Sequence, residues 1–213
     1  MLTDDEFVQG KTLSELTAGS PEKAAEMGSV FAEIGWTLHH ARVARTDLPR
    51  ATEPIRRELG KVDYIPDKAV RNIAHLLDEL DREQQYVHGD FHPNNVIMTA
   101  DGPVLIDMGG FSLGSPLFDL ATLRFSLFES PEAQKEGRSS FNGLTREEAR
   151  HFWEGFEKKY FGRPMNAREE QELNRVTLLK KLRFEHLYGN RYPERYCDDV
   201  RREIVSVFSE ERE

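Results

Sequence analysis

The chain has 213 residues, 38% of them hydrophobic and 31% charged, and a formal net charge of −9. This is the profile of one soluble globular unit with a sizeable core, and its acidity argues against a nucleic-acid partner, because phosphate backbones need a basic surface. No apolar run approaches bilayer length, the N-terminus lacks a signal-peptide pattern, and a lone cysteine, Cys197, forbids an intrachain disulfide, so the expected place is the cytoplasm with no membrane partner.

Ser20-Pro21 offers an N-cap and a first helical position, and Ala24, Met27, Phe31, Ile34 and Leu38 recur behind it at helical spacing. A long amphipathic helix is predicted here, with His39-His40 at its end, where ring donors meet the last carbonyls. A second helix is expected after Pro66-Asp67, carrying Val70, Ile73, Leu77 and Leu80. The short strand Gln85-Tyr86-Val87 then leads into His88-Gly89-Asp90-Phe91-His92-Pro93-Asn94-Asn95.

Val96-Ile97-Met98 and Val104-Leu105-Ile106 flank the turn-like Thr99-Ala100-Asp101-Gly102, which predicts a β-hairpin with a five-residue connection. Pairing Met98 with Val104 sets Asn95 opposite Asp107, with Cβ atoms about 5 Å apart, near enough for an amide oxygen and a carboxylate to share one hard cation. Mg²⁺ is the natural occupant, and so few protein ligands imply that it arrives with a nucleotide. Asp90, Asn95 and Asp107 have the order and spacing of a phosphoryl-transfer centre, in which an Asp faces the attacking hydroxyl and an Asn and a second Asp bind the metal. Asp and Asn also favour loops for their own hydrogen bonds, and that alternative reading makes all three ordinary turn residues.

Further along, Asp119 to about Glu129 is expected to be helical, and Ser130 to Gly143 a polar loop. Thr145-Arg146-Glu147-Glu148 is a capping box ahead of Phe152, Trp153, Phe156 and Tyr160; Asn166 to Glu169 repeats the device ahead of Leu173, Val176 and Leu179. A last helix carries Val200, Ile204 and Phe208. The cluster Lys180-Lys181-Leu182-Arg183 reads as an exposed helix face rather than a phosphate site.

Three segments, His88 to Asn95, Ile106 to Gly109 and Gly114 to Ala121, together resemble the aminoglycoside phosphotransferase and choline kinase superfamily. The resemblance implies an α+β, mostly helical fold: the C-terminal lobe of the protein-kinase-like architecture, with the small hairpin carrying the metal ligands. It implies transfer of the γ-phosphate of ATP or GTP to a hydroxyl of a small molecule such as an aminoglycoside, choline or a related amino or sugar alcohol. Asp90 is then the catalytic residue, and Asn95 and Asp107 hold Mg²⁺ and, through it, the nucleotide. His88 resembles the His of the kinase His-x-Asp and is read as a support of the loop. Asp119 is read as a structural anchor, either capping its helix or holding loop amides. His92 is open between a phosphate or substrate contact and a bond to the backbone. Ser115 departs from the Gly-Asp-Pro that this signature usually carries.

Residues 1–13 look like a remnant of the interlobe hinge, 84–121 like the catalytic and metal-binding segment, and 122–213 like a helical substrate-side region. Gly-x-Gly-x-x-Gly is absent, and Lys11, Lys23, Lys61 and Lys68 lie in polar or helical contexts, so a nucleotide-covering N-terminal lobe is not seen. A fragment, a late start and a stand-alone lobe all explain this. The alternative function is a catalytically silent module that binds a nucleotide or a partner, and an uncovered interlobe surface predicts self-association. The acidic balance favours cationic or neutral acceptors, with Glu129, Glu185, Asp198 and Asp199 as candidates to attract them, against the reading that these are solvated surface charges.

Overall fold

A computed structural model describes residues 8–210. Part of the expected hinge therefore lies outside the described residues. Its last residues form strand β1 (Lys11–Thr12), and Leu13 opens helix α1 (Leu13–Thr17); Lys11 is thus exposed on a two-residue strand rather than in a helix. Thr12 and Glu15 close a reciprocal capping box at that junction.

Ser20 caps helix α2 (Pro21–His39) by accepting from Lys23 N, with Pro21 at its first position. The fully buried face of α2 is Ala24, Gly28, Phe31, Ala32, Gly35 and His39; of the predicted stripe, Ala24 and Phe31 belong to it, while Met27, Ile34 and Leu38 are half-buried at its edge. Small residues replace large ones where another backbone runs alongside. Helix α3 (Glu53–Leu59), for which the sequence offered no periodic signal, precedes the expected α4 (Asp67–Leu80), whose buried Ile73, Leu77 and Leu80 match prediction.

Strand β2 (Gln85–Val87) forms where expected, and the hairpin is β3 (Val96–Thr99) with β4 (Gly102–Leu105). Its register differs from prediction by one residue: Ile97 faces Val104 and Met98 faces Pro103. Thr99 and Gly102 join the ladder, leaving only Ala100-Asp101 as the connection, the two-residue length that matches strand twist. Asn95 O then accepts from Ile106 N, so Asp107 lies past the ladder and is not opposite Asn95. Sheets are β1-β3-β4 and β2 with β5 (Ser112–Gly114), all antiparallel.

Helix α5 (Leu117–Arg124) continues into a single wide turn over Phe125–Glu129. Helices α6 (Arg146–Phe161) and α7 (Ala167–Tyr188) open on the two predicted capping boxes, and α8 (Glu194–Ser209) buries Val200, Ile204 and Phe208. Helices α2 and α6 cross with their backbones in contact. A Cβ on Gly28 would strike Phe152 O, and one on Gly155 would strike Ala25 O. The result is a mostly helical fold with two small sheets, and one apolar cluster runs from Leu13 to Phe208. No described helix is long and apolar enough to cross a membrane.

Candidate active site

Asp119 is fully buried under the loop that follows β2. Its carboxylate accepts from His88 N (2.8 Å) and Gly89 N (2.9 Å) and from the ring of His39 (3.0 Å). Because a carboxylate only accepts, His39 Nε2 carries a proton, and in the neutral ring Nδ1 then accepts from Tyr160 Oη at 2.6 Å. The chain Tyr160, His39, Asp119 thus reaches from α6 through the end of α2 to the loop amides. Asp119 makes no cap to its own helix, whose N-cap is Pro116; Ser115 Oγ accepts from Leu117 N instead.

The two loops bearing the predicted residues are stapled together. His88, fully buried, accepts at Nδ1 from Asp90 N (3.3 Å) and donates from Nε2 to Ile106 O (2.9 Å), next to Asp107. Gly89, at φ +84°, lies so close to Gly110 that a Cβ would strike its carbonyl oxygen, so both conformation and space require glycine. Asp107 itself is left-handed at φ 57°, ψ 57°, the one non-glycine residue with positive φ among those described. This turn, not a cross-strand pairing, delivers it to the cleft.

Asp90 is 45% exposed at its side chain and surrounded by donors. His92 Nε2 lies 3.2 Å from Oδ2, Asn95 Nδ2 donates to the Asp90 carbonyl (2.9 Å) and to Oδ2 (3.3 Å), and Lys180 Nζ lies 3.7 Å from Oδ1. Burial works to raise this carboxyl's pKa, but the His92 bond, the Lys180 charge and the Asn95 amide together outweigh it and hold it down at about 2. His92 therefore bonds a carboxylate rather than the backbone, and its buried Nδ1 has no partner. Asn95, anchored through its nitrogen, keeps Oδ1 for another ligand.

Asp90, His92 and Asp107 line a cleft of about 770 Å³ closed by α5, the Ser130–Gly143 loop and α7. Asn95 is not among the residues that line the cleft; its amide oxygen and the Asp107 carboxylate are hard donors of the kind that would suit Mg²⁺ sharing its shell with phosphates and water. Among the described residues no group of three His, Cys, Asp or Glu side chains is placed to hold a metal.

Residues 5–155 match the model of the phosphotransferase enzyme family. The chain belongs to this family. Its fold is similar to that of an aminoglycoside-3'-phosphotransferase of type VIII (TM-score 0.53, 19% identity, covering 83% of this chain and 67% of that one). Similar too are an amicoumacin kinase in complex with AMP-PNP, Ca²⁺ and Ami (0.59, 16%, 94% and 63%) and a choline/ethanolamine kinase family protein from Mesorhizobium loti (0.54, 16%, 90% and 65%). The chain thus spans about two thirds of the length of these structures. No curated protein matches its sequence.

Against this family background the flanking charges change their reading. Lys180 is not on an exposed face: its side chain is 19% exposed and stands over Asp90. Burial pushes its ammonium below the ordinary lysine range, with Asp90 and Asp119 pulling the other way. Lys181 is buried between Glu129 and Glu203. Glu129 is therefore already paired, with Arg124 as well; Glu185 is held by Arg201, and Asp198 and Asp199 by Arg201 and Arg202. None of the four acidic candidates lines the cleft, whose acidic residues are Asp90, Asp107 and Glu132. Sequence reasoning missed Tyr160 and Lys180 in the site, since each sits in a helical stripe that reads as core or surface; of the two histidines expected at the last carbonyls of α2, His40 donates to Trp36 O while His39 turns to Asp119 instead.

Proposed function

We propose that this chain is the C-terminal lobe of a nucleotide-dependent O-phosphotransferase that moves the γ-phosphate of ATP or GTP to a hydroxyl of a small molecule. Asp90 receives that hydroxyl, and Asn95 and Asp107 hold Mg²⁺. The observation that carries the reading is the convergence on one cleft of an exposed carboxylate ringed by donors and a second carboxylate delivered by a left-handed turn. When bound, Mg²⁺ supplies charge neutralisation on the transferring phosphoryl group.

A carboxylate with a pKa of about 2 is a weak base toward an alcohol. That suits a loose transition state, in which the P–O bond to the nucleotide is largely broken before the acceptor's proton must leave. Asp90 first accepts a hydrogen bond from the hydroxyl and aims its lone pair; it takes the proton late, as the new O–P bond forms. Lys180 and His92 keep Asp90 ionised and fixed in place. His88 and Asp119 hold the loop under it.

Calorimetric titration of the chain with Mg²⁺-ATP tests this reading. Metal-dependent binding that disappears in Asp107→Ala is the expected result. Binding that survives in Asp107→Ala, or no heat at millimolar nucleotide, would overturn it, the second outcome in favour of a catalytically silent partner-binding module.

A further inference from the structure

The cleft around Asp90 opens beside a second cavity of about 270 Å³ between α3, β5, α5 and α7, and the two share Gly89, Gly109, Gly110, Thr122, Lys180 and Arg183 in their walls. Four cations meet at this smaller cavity: Arg50, Arg57, Lys180 and Arg183. Lys180 has Asp90. Among the described residues, neither Arg57 nor Arg183 has a carboxylate or hydrogen-bond partner, and Arg183 repels the like-charged Lys180. Arg50 Nη1 is a buried donor with nothing to donate to. Glu53 is the one carboxylate in this wall, and it accepts from the Arg50 backbone amide.

Guanidinium groups lining one cavity repel one another, and with Glu53 as the single carboxylate against four cations the wall keeps a positive excess that a bound anion would complete. In a chain of net charge −9, carboxylates are plentiful, and pairing these arginines internally would be easy. The wall of the larger cleft adds flat apolar surface: Phe141, Leu187 and Tyr188 are among the few large hydrophobic side chains left exposed.

Resting on the phosphotransferase reading, we infer that the acceptor is anionic: a hydroxyl compound bearing a carboxylate or phosphate, which the Arg50, Arg57 and Arg183 guanidiniums bind while its hydroxyl faces Asp90. This reverses the cationic or neutral acceptor that the overall charge implies. The sum of charges over the whole surface does not describe the lining of one pocket.

The test is calorimetry of the full chain, without Mg²⁺ or nucleotide, against glucose 6-phosphate, glucuronate and glucose, three probes that share hydroxyls and differ in the anion. At least one of the two anions should bind about ten-fold or more tightly than glucose, and Arg183→Met should remove that preference. Arg57→Met, at an exposed position on α3, should weaken it in the same sense without threatening the fold. Equal binding of all three probes, or an anion preference that survives both variants, overturns the inference. The same cations could instead serve the nucleotide's phosphates. Competition between AMP-PNP with Mg²⁺ and the anionic sugar, together with loss of nucleotide affinity in Arg183→Met, would show this and also overturn it. The anion preference needs no metal, so it stands or falls separately from the Asp107→Ala result.

Discussion

The two sides of the His88–Asn95 loop are built on opposite principles. Beneath it, Asp119 is fully buried and its two oxygens take three donors, with His39 and Tyr160 continuing the chain. Above it, Asp90 is nearly half exposed, His92 Nδ1 is an orphan, and arginines without partners wall the adjoining cavity. The lower side is satisfied and fixes position. The upper side leaves polar groups free to be completed by something that binds. Stability and function are thus separated by the thickness of one loop.

The largest expected effect breaks the lower side. Asp119→Ala strips a buried partner from two amides and an imidazole at once, and its cost should be about 3–5 kcal/mol, the scale for breaking a buried charged network from one end. Urea denaturation of the variant against the parent chain gives the number. A loss below about 1 kcal/mol would mean that Asp119 is not what fixes the loop.

Tyr160→Phe makes a smaller cut at the far end of the same chain. It leaves His39 Nδ1 without a donor in a site with little access to water, for which about 1–2 kcal/mol is expected. Burial pushes the Tyr160 phenol well above the ordinary tyrosine range, with the Asp119 and Glu83 charges adding to it, so the hydroxyl keeps its proton across the working pH range. The loss should accordingly show no step as pH rises from 8 to 10. A step there would show that Tyr160 titrates and would break its assignment as the protonated end of the chain.

Much of this architecture was legible in the residues, for physical reasons that differ by element. Capping boxes at Thr145 and Asn166 and the stripes of α4 and α8 are local signals, and local geometry obeyed them. The centre of the buried face of α2 was not legible, because Gly28 is selected by the α6 backbone and Gly35 by the Phe91 ring, and glycine carries no hydrophobic signal. The hairpin slipped by one residue because Thr99 and Gly102, taken for turn residues, pair across the ladder. Asp107 belonged to the cleft nonetheless, since a left-handed turn brought it there. The basic pocket was invisible: Arg50, Arg57 and Arg183 lie on three separate segments, and only the packing of α3 against α7 brings them to one cavity.

The smallest effect on stability belongs to Asp90, which is where the comparison is sharpest. Burial opposes its charge while His92, Lys180 and Asn95 favour it, and the net result is a carboxyl held at about 2 against an ordinary 3.8. A depressed folded-state pKa contributes stability that is fully present above the unfolded value and is lost as pH falls from about 4 toward 2. Solvent at a side chain 45% exposed screens that contribution. Asp90→Ala should therefore stay within about 1 kcal/mol of the parent chain at pH 7, with a difference that is flat from pH 5 to pH 8 and moves in favour of the variant only below about pH 4. Denaturation midpoints at pH 7 and pH 3 decide it. A penalty near that of Asp119→Ala would show that both sides of the loop serve the fold, and Asp90 would lose the freedom that a group facing a substrate needs.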